Sequence, residues 1–494
     1  MKEKAFDNDL YLKLQSEQIR KRISSFDNKL YLEFGGKLFD DHHASRVLPG
    51  FLPDSKLKML LTLKEQVEII IVINCSDIEK NKVRSDLGIS YDVEVLRLID
   101  AFRGVGLYVG SVVITQYNNQ SAADTFKHLL ENLGIKVALH YTISGYPNNI
   151  PFIVSDEGYG KNEFIETTKP LVVVTAPGPG SGKMATCLSQ LYHEHKRGIK
   201  AGYAKFETFP IWNLPLKHPV NLAYEAATAD LNDINMIDPF HLEAYGQAAV
   251  NYNRDVEIFP VLNTMFERIL GSSPYKSPTD MGVNMAGKCI IDDDVAIRAS
   301  RDEIIRRYYQ ALVDYKIGAI GEQTIEKIEI VMSQANTALE ERKCVALANK
   351  KAELTGSPAV AIELCNGQIV TGKTSSLLGA SAAALLNALK VLGNINDDIP
   401  LISPSIIEPI QKLKTESLGN NNPRLHSDEV LIALSISATT NPLSHLALQQ
   451  LSKLKDCEAH SSVILSEVDK NVYRKLHMNL TCEPQYQTKK LYHR

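Results

Sequence analysis

The chain has 494 residues, of which 44% are hydrophobic and 23% are charged, and its formal net charge is −4 at pH 7. That composition is typical of a globular protein with a large core, and the length predicts about two to four domains. A charge so close to neutral favours neither a nucleic acid nor a membrane surface as partner.

Cysteine usage and the N-terminus both predict a cytoplasmic protein. The seven cysteines are scattered and form no C-x-x-C pair, which argues against a disulfide framework or a cysteine zinc site. The N-terminal sequence MKEKAFDNDLYLKL carries charges where a signal peptide needs an apolar core. No uncharged apolar run is long enough to span a bilayer.

The first 150 residues alternate between helical and extended patterns. Helices are predicted over residues 1–26, 53–63, 90–103 and 121–133, and strands over 30–34, 67–73, 109–115 and 136–141. The run VEIIIVI at 67–73 has no polar alternation, as expected for a central strand covered on both faces. Strands and helices joined by short links predict a doubly wound α/β sheet.

A polar cluster follows the turn Gly35-Gly36-Lys37. Its members are Asp40, Asp41, His42, His43 and Arg46. Two interpretations stand side by side: a loop that contacts a ligand, and a polar loop whose histidines are satisfied within the protein. A metal site is the less favoured alternative, because adjacent side chains face opposite ways on a strand and diverge by about 100° on a helix.

Residues 171–191, LVVVTAPGPGSGKMATCLSQL, carry the pattern around which the chain is organised. A short apolar strand leads into a glycine-rich turn, and Lys183 then opens a segment with apolar residues at helical spacing. This layout is typical of a phosphate-binding P-loop, in which loop amides and a helix N-terminus hold an anion. The predicted phosphate-binding residues are Gly178, Gly180, Ser181, Gly182, Lys183 and Thr186.

The match to G-x-x-x-x-G-K-[ST] has two defects. Pro177 stands at the first glycine position, and Met184 stands where a Mg²⁺-binding hydroxyl is expected. A hydroxyl from Ser181 or Thr186 could reach the site only by another geometry. The alternative is a tight strand-to-helix turn without a ligand.

Two acidic residues precede this turn. Residues 152–154 form a short apolar run that we interpret as a strand, followed by Asp156 and Glu157. A strand that ends in two carboxylates resembles the pair that holds Mg²⁺ and a base in many P-loop enzymes. An ordinary surface turn explains the same letters.

The segment after the predicted P-loop helix supplies further polar candidates. A strand is predicted at 201–206, with Lys205, Glu207 and Thr208 at its carboxyl end, where ligands bind in open α/β sheets. We interpret the single tryptophan, Trp212, as a packing anchor. A further strand is predicted at 256–261. Residues 273–287 form a polar stretch rich in proline and glycine, long enough for a lid or binding loop.

A second pattern, G-x-x-x-x-G-K-T, occurs at 367–374. Asn366-Gly367 is a favoured hairpin turn, and residues 368–370 fit a returning strand, which cannot wrap a phosphate. We therefore rank this pattern below the first, and an anion at the following helix N-terminus is matched by an ordinary helix cap. Small residues along that helix predict close helix–helix packing, for instance between subunits.

Several stretches together are recognisable. They are LYLEFGGKLFDDHHASRVLPGF, VSDEGYG, TAPGPGSGKMATCLSQLYHE, DMGVNMAG and NPRLHSDEVLIALSISATTNP. The chain resembles, over nearly its full length, the uncharacterised bacterial family called domain of unknown function eighteen forty-six. The resemblance implies an α/β N-terminal part with a P-loop-like segment and a smaller C-terminal domain, but no reaction. Some members are labelled peptidases, which the absence of H-E-x-x-H and G-x-S-x-G does not support.

These observations combine into one set of expectations. We expect a doubly wound, mostly parallel α/β sheet at 1–150 and 151–330, and a smaller α+β domain at 331–494. The predicted function is binding of a nucleotide or phosphorylated metabolite, with phosphoryl or nucleotidyl transfer carried out by Lys183, Asp156 and Glu157 and with Mg²⁺ as cofactor. The alternatives are an enzyme that acts on a phosphorylated small molecule without ATP, and a non-catalytic assembly or sensor protein. A homo-oligomer is expected.

Overall fold

The computed structural model describes residues 3–39, 41–84 and 87–488. These residues form two compact units. The N-terminal unit comprises 3–225 and 231–300, and the C-terminal unit comprises 226–230 and 301–488. No helix in the described part of the chain is both long and apolar enough to cross a membrane.

The N-terminal unit is organised around a seven-stranded parallel sheet in the order β11-β8-β1-β7-β2-β5-β6. Two short antiparallel pairs, β3 with β4 and β9 with β10, lie apart from it. The strands are β1 (Leu30–Phe34), β2 (Val67–Asn74), β3 (Val83–Arg84), β4 (Ile89–Ser90), β5 (Tyr108–Tyr117), β6 (Lys136–Tyr141), β7 (Leu171–Thr175), β8 (Gly202–Phe206), β9 (Asn235–Ile237), β10 (Val250–Tyr252) and β11 (Gly282–Val283). Strands from both predicted N-terminal segments, 1–150 and 151–330, therefore share one sheet.

Helices connect these strands. In chain order they are α1 (Asn8–Ser24), α2 (His42–Val47), α3 (Ser55–Leu61), α4 (Cys75–Glu79), α5 (Tyr91–Gly104), α6 (Ser121–Asn132), α7 (Ile150–Ile153), α8 (Lys183–Lys196), α9 (Pro219–Ala227), α10 (Pro239–Tyr245), α11 (Asn253–Leu270), α12 (Pro278–Met281) and α13 (Asp293–Lys316). The predicted strands at 30–34, 136–141 and 171–175 have the observed bounds, and the predicted mostly parallel α/β sheet is confirmed.

The core beside the sheet explains why α8 and α11 are helical. Leu188 and Leu191 of α8, together with Phe259 and Phe266 of α11, are buried in one apolar cluster with alternate residues of the strands, such as Val172. Burying each large apolar side chain contributes about 1.5–3 kcal/mol. The apolar faces of α8 and α11, with helical spacing, thus pack on the alternating apolar residues of the strands in a single core.

Two predicted strands are wrong. Of residues 152–154, the first two belong to helix α7, and residues 256–261 lie inside α11. In α11 the buried residues Val256, Phe259 and Leu262 recur every three positions, which is helical spacing that a six-residue window cannot separate from a buried strand.

The C-terminal unit contains a mixed four-stranded sheet in the order β13-β12-β14-β15. Strand β12 is antiparallel to both neighbours, and β14 is parallel to β15. The strands are β12 (Ala359–Glu363), β13 (Ile369–Lys373), β14 (Glu458–Ser461) and β15 (Asn479–Cys482), and the helices are α14 (Glu322–Ala335), α15 (Lys343–Thr355), α16 (Ala380–Leu392), α17 (Pro404–Lys412), α18 (Ser427–Ser437), α19 (Pro442–Leu448) and α20 (Glu467–Lys475). This smaller α+β domain agrees with the predicted fold class.

The second glycine-lysine pattern lies in this sheet. Gly367 has a φ of 81° in the turn between β12 and β13, and Lys373 ends β13. The predicted hairpin is confirmed, so residues 369–373 are extended and the segment does not wrap around an anion. Gly372 lies against the backbone of Ala383 and Ala384 in α16, so the small residues of this helix pack on a strand.

Candidate functional site

The sheet of the N-terminal unit has a topological switch point between β1 and β7. After β1 the chain moves toward β2, and after β7 it moves toward β8, which lies on the other side of β1. Adjacent parallel strands whose connections leave in opposite directions open a crevice at their carboxyl ends, where open α/β sheets bind ligands. The glycine-rich turns at 35–37 and 176–182 follow these two strands.

Protein donors hold the carbonyl oxygens of the 176–182 turn. The Ser181 hydroxyl donates to the carbonyl oxygen of Gly178 at 2.6 Å. Asn74, which ends β2, donates to the Gly180 carbonyl at 3.2 Å, and Thr115 of β5 donates to the Ser181 carbonyl at 2.7 Å. Hydrogen bonds to its carbonyl oxygens therefore hold the turn in place, and its backbone amides remain available to another partner.

The amides of the turn make no such bonds. Across residues 3–39, 41–84 and 87–488, no protein group accepts a hydrogen bond from the amides between Gly178 and Ala185. Gly182, the N-cap residue of α8, has a φ of 90°, a left-handed conformation that favours glycine. Tyr91 packs on Gly178, where a Cβ atom would collide with the tyrosine hydroxyl. The first turn of α8 thus presents a row of unbonded N–H groups.

Lys183 begins α8 beside this row. Its side chain is half-buried, and it forms no ion pair or hydrogen bond with any residue that the structure describes. Burial lowers the pKa of Lys183, and the positive charges of Lys205 and Arg254 act in the same direction, while Glu33 opposes them. The ammonium group therefore lacks a protein counter-ion.

Glu33 is the carboxylate whose charge raises the pKa of Lys183. It lies on β1 in register with Lys205 on β8, and its side chain accepts a hydrogen bond from the Tyr203 hydroxyl at 2.7 Å. Only 8% of Glu33 is exposed. Sequence reasoning missed this residue, although a glutamate in the otherwise apolar strand LYLEF is a detectable signal.

Three further charged residues lie next to Glu33. The Lys205 ammonium is 2.7 Å from Oε1 of Glu207 and also pairs with Asp255. Burial and the nearby Asp255 charge together raise the pKa of Glu207 to about 7, against the attraction of Lys205. The same two carboxylates raise the pKa of Lys205. Lys205 thus stays protonated while Glu207 can gain or lose a proton near neutral pH.

The two predicted hydroxyl ligands occupy different positions. The Ser181 hydroxyl is engaged with the Gly178 carbonyl, so it stabilises the turn. Thr186, in the first turns of α8, is fully buried, and its Oγ1 has no hydrogen-bond partner among the described residues.

Asp156 and Glu157 lie away from the turn. Asp156 accepts a hydrogen bond from Tyr192 at 2.8 Å and pairs with Lys196, the last residue of α8. Helix α8 has 14 residues and spans about 20 Å, with Lys183 at its other end. These carboxylates are exposed and are not brought together with the turn, because the segment before them is a helix rather than a strand that ends at the carboxyl edge.

The polar cluster after the first glycine turn forms a helix. Asp40 lies outside the described residues. Asp41 is the N-cap residue of α2, accepting from the Ala44 amide at 3.2 Å, and it forms a buried ion pair of 2.8 Å with Lys56. The predicted loop is therefore a capped helix, and His42 and His43 are adjacent residues in it. No group of three potential metal-binding side chains occurs among the residues described.

Comparison with known proteins gives a consistent result. The profile "Domain of unknown function DUF1846, N-terminal" matches residues 4–336, and "Domain of unknown function DUF1846, C-terminal" matches 340–492. A UPF0371 protein of Streptococcus uberis is 61% identical over 492 residues, which cover 100% of both chains. UPF0371 proteins of Streptococcus pyogenes serotype M5 and Streptococcus pneumoniae are 61% and 60% identical over the same length and coverage.

Proposed function

The chain belongs to the DUF1846 family, also named UPF0371, and from this premise we propose that it binds a phosphate-bearing small molecule at residues 178–183. The ligand is a nucleotide or a phosphorylated metabolite. Its phosphate accepts hydrogen bonds from the turn amides, and Lys183 supplies the compensating charge.

One observation carries this proposal: the carbonyl oxygens of Gly178, Gly180 and Ser181 are bonded to protein donors, while the amides between Gly178 and Ala185 have no acceptor in the described chain. Unbonded amides at the start of a long helix attract anions, since the positive end of the helix dipole lies at the same place. Lys183 adds a positive charge that forms no ion pair with the described residues. The switch point of the sheet is also the position where ligands of such folds bind.

The chemistry that follows binding is proposed from the same neighbourhood. Asp156 and Glu157 lie near the far end of α8, so the proposal assigns charge neutralisation to the amides and Lys183 rather than to a metal held by these two carboxylates. These features favour an enzyme that acts on a phosphorylated molecule over one that hydrolyses ATP by the usual Mg²⁺-dependent route.

Calorimetric titration and thermal unfolding test the proposal. Probes are ATP, GTP, glucose 6-phosphate and inorganic phosphate, each with and without Mg²⁺. At least one probe should bind and raise the melting temperature. Lys183→Ala should weaken that binding at least about tenfold, because a charge-assisted hydrogen bond contributes about 1.5–3 kcal/mol.

Lys196→Ala is the matched control. It removes a lysine from the same helix, but that lysine lies at the opposite end and pairs with Asp156. Its ligand affinity should equal that of the unmodified protein. Absence of binding by every probe, or equal affinity in Lys183→Ala, would contradict the proposal.

A further inference from the structure

A second feature of the N-terminal unit is a cavity beside the carboxyl ends of β8 and β11. Its volume is about 160 Å³, roughly the space of five water molecules at about 30 Å³ each. The lining includes Arg22, Glu207, Trp212, His241, Asn251 and Gly282. Strands β7 and β8 are separated by β1, so the cavity is about 10 Å or more from the 176–182 turn at the usual strand spacing.

Glu207 presents one carboxylate oxygen to this cavity. Its Oε1 pairs with Lys205 at 2.7 Å. A Cβ atom placed on Gly282 would lie 3.4 Å from its Oε2, so the missing side chain of Gly282 leaves space next to that oxygen. With a pKa of about 7, the Glu207 carboxyl group can donate or accept a hydrogen bond near neutral pH.

His241 offers a second polar group to this cavity. Its Nδ1 is 3.0 Å from the Ser277 hydroxyl, which leaves Nε2 without a protein partner among the described residues. The imidazole ring lies 6.2 Å from the Trp212 ring, centroid to centroid. The Trp212 indole is held in place because its Nε1 donates to the Asn284 carbonyl at 3.0 Å.

The charged groups of the lining are already engaged. Arg22 donates to the carbonyl oxygen of Asp280 and lies over the Tyr275 ring. The carboxylate of Asp280 accepts hydrogen bonds from the Tyr245 hydroxyl at 2.7 Å and from the Lys276 amide at 3.0 Å. Groups that a ligand can meet in this cavity include Oε2 of Glu207, the His241 imidazole and the Trp212 indole; Gln18 and Oδ1 of Asp280 belong to the same lining.

We propose that this cavity binds a small polyhydroxylated molecule, a sugar or a polyol, whose hydroxyl groups bond to Glu207 and His241. A hydroxyl group donates one hydrogen bond and accepts others, so it matches a carboxyl and an imidazole that can do either. The indole face contacts the C–H groups of such a ligand, in the usual combination of an apolar wall with a few oriented polar groups. The proposal does not depend on the phosphate site, because its ligand carries no phosphate.

Fluorescence offers a direct test, because Trp212 is the only tryptophan of the chain. The intact protein is titrated with glucose, N-acetylglucosamine, myo-inositol and glycerol at constant pH, and tryptophan emission is recorded. At least one of these probes should give a saturable change. Gly282→Ala should reduce that probe's affinity at least tenfold, since the added methyl group occupies the space beside Glu207.

Gly104→Ala is the control, because a Cβ atom there meets no other atom within 4 Å; this variant should titrate like the unmodified protein. Gly282 has a φ of −75°, so alanine fits its backbone conformation, and the far-ultraviolet circular dichroism spectrum of the variant should be unchanged. Emission that only drifts without saturation, or an equal affinity in Gly282→Ala, overturns the proposal. Saturable binding of glycine or succinate in place of every hydroxylated probe overturns the assignment of the ligand class.

Discussion

The ammonium group of Lys205 lies 2.7 Å from Oε1 of Glu207 while it also pairs with Asp255. The side chains of Glu207 and Asp255 are 11% and 9% exposed, so two largely buried carboxylates share one cation. Burial and the negative charge of Asp255 disfavour ionisation of Glu207, against the attraction of Lys205. As a result, the pKa of Glu207 is about 7, above the ordinary value of 4.5.

Glu207→Gln should change the pH dependence of stability. The raised pKa means that folded Glu207 binds a proton between pH 4.5 and 7 while the unfolded chain releases it. The free energy of unfolding therefore falls as pH rises through this window. Each unit corresponds to about 1.36 kcal/mol, so the variant should gain on the order of 2–3 kcal/mol relative to the unmodified protein between pH 4.5 and 7.5.

Thermal unfolding of both proteins across that pH range measures the difference between their free energies of unfolding. Titration of all other groups contributes equally to both proteins and cancels in this difference. Glu267→Gln serves as the control, since Glu267 is exposed on α11. A difference between Glu207→Gln and the unmodified protein that stays constant with pH would show that Glu207 is ionised throughout.

Thr115→Val should loosen the 176–182 turn. Thr115 Oγ1 donates to the Ser181 carbonyl at 2.7 Å, and the threonine is 4% exposed. Valine keeps the shape but leaves the carbonyl without its donor, at a cost of about 1–3 kcal/mol. Thr115→Ser keeps the hydroxyl and should cost less. Urea unfolding measures both variants, and equal loss in the two would mean that packing of the methyl group, not the hydrogen bond, holds the turn.

Sequence patterns located the sheet because local and global preferences agree there. Strand β2 is a run of apolar residues with no alternation, and all eight of its residues are buried, as a central parallel strand requires. The strand prediction at Val256–Val261 was wrong because these residues are apolar enough for either structure, and six residues are too few to separate the two periods. Pro260 also lies within this helix, where a proline argues against the helical interpretation.

The candidate site divides in the same way. The strand, glycine turn and helix around Lys183 are encoded by consecutive residues, so their layout was predictable. The relationship of Lys183 to Glu33 depends on strand order across the sheet, and that of Lys205 to Asp255 depends on the packing of α11, and no local pattern contains either. Asp156 was assigned to the turn from its place in the sequence, but a helix before it and its pairing with Lys196 direct it elsewhere.

Lys56→Met should destabilise the protein strongly. Lys56 and Asp41 are paired at 2.8 Å with side chains 3% and 11% exposed, and removal of the cation leaves a buried carboxylate, at a cost of about 3–5 kcal/mol. Lys56 also contributes to lowering the pKa of Asp41 against the effect of burial. The stabilisation by Asp41 is therefore present above its unfolded pKa of 3.8 and is lost as pH falls below it.

Lys58→Ala is the control for that variant. Lys58 pairs with Asp54 at 3.0 Å two residues further along the same helix, but the side chains of this pair are 44% and 50% exposed. An exposed pair contributes about 0–1 kcal/mol. Denaturant unfolding at pH 7 should thus separate the two lysine variants by at least about 2 kcal/mol, and similar losses would show that Lys56 is not a buried counter-ion.

Gly372→Ala should weaken the C-terminal unit. A Cβ atom on Gly372 would collide with the backbone of Ala384 and Ala383 in α16, so the helix must move away from β13. Overpacking of this kind costs about 1–3 kcal/mol or more, and it separates elements whose residues Leu385 and Leu389 belong to the core of this unit. Limited proteolysis and thermal unfolding should show earlier loss of this unit than in the unmodified chain.

Gly104→Ala adds the same methyl group to open space and should not lower the melting temperature, because alanine is the better helix former. If Gly372→Ala melts like Gly104→Ala, then α16 and β13 are not in close contact, and the small residues of this helix serve another surface.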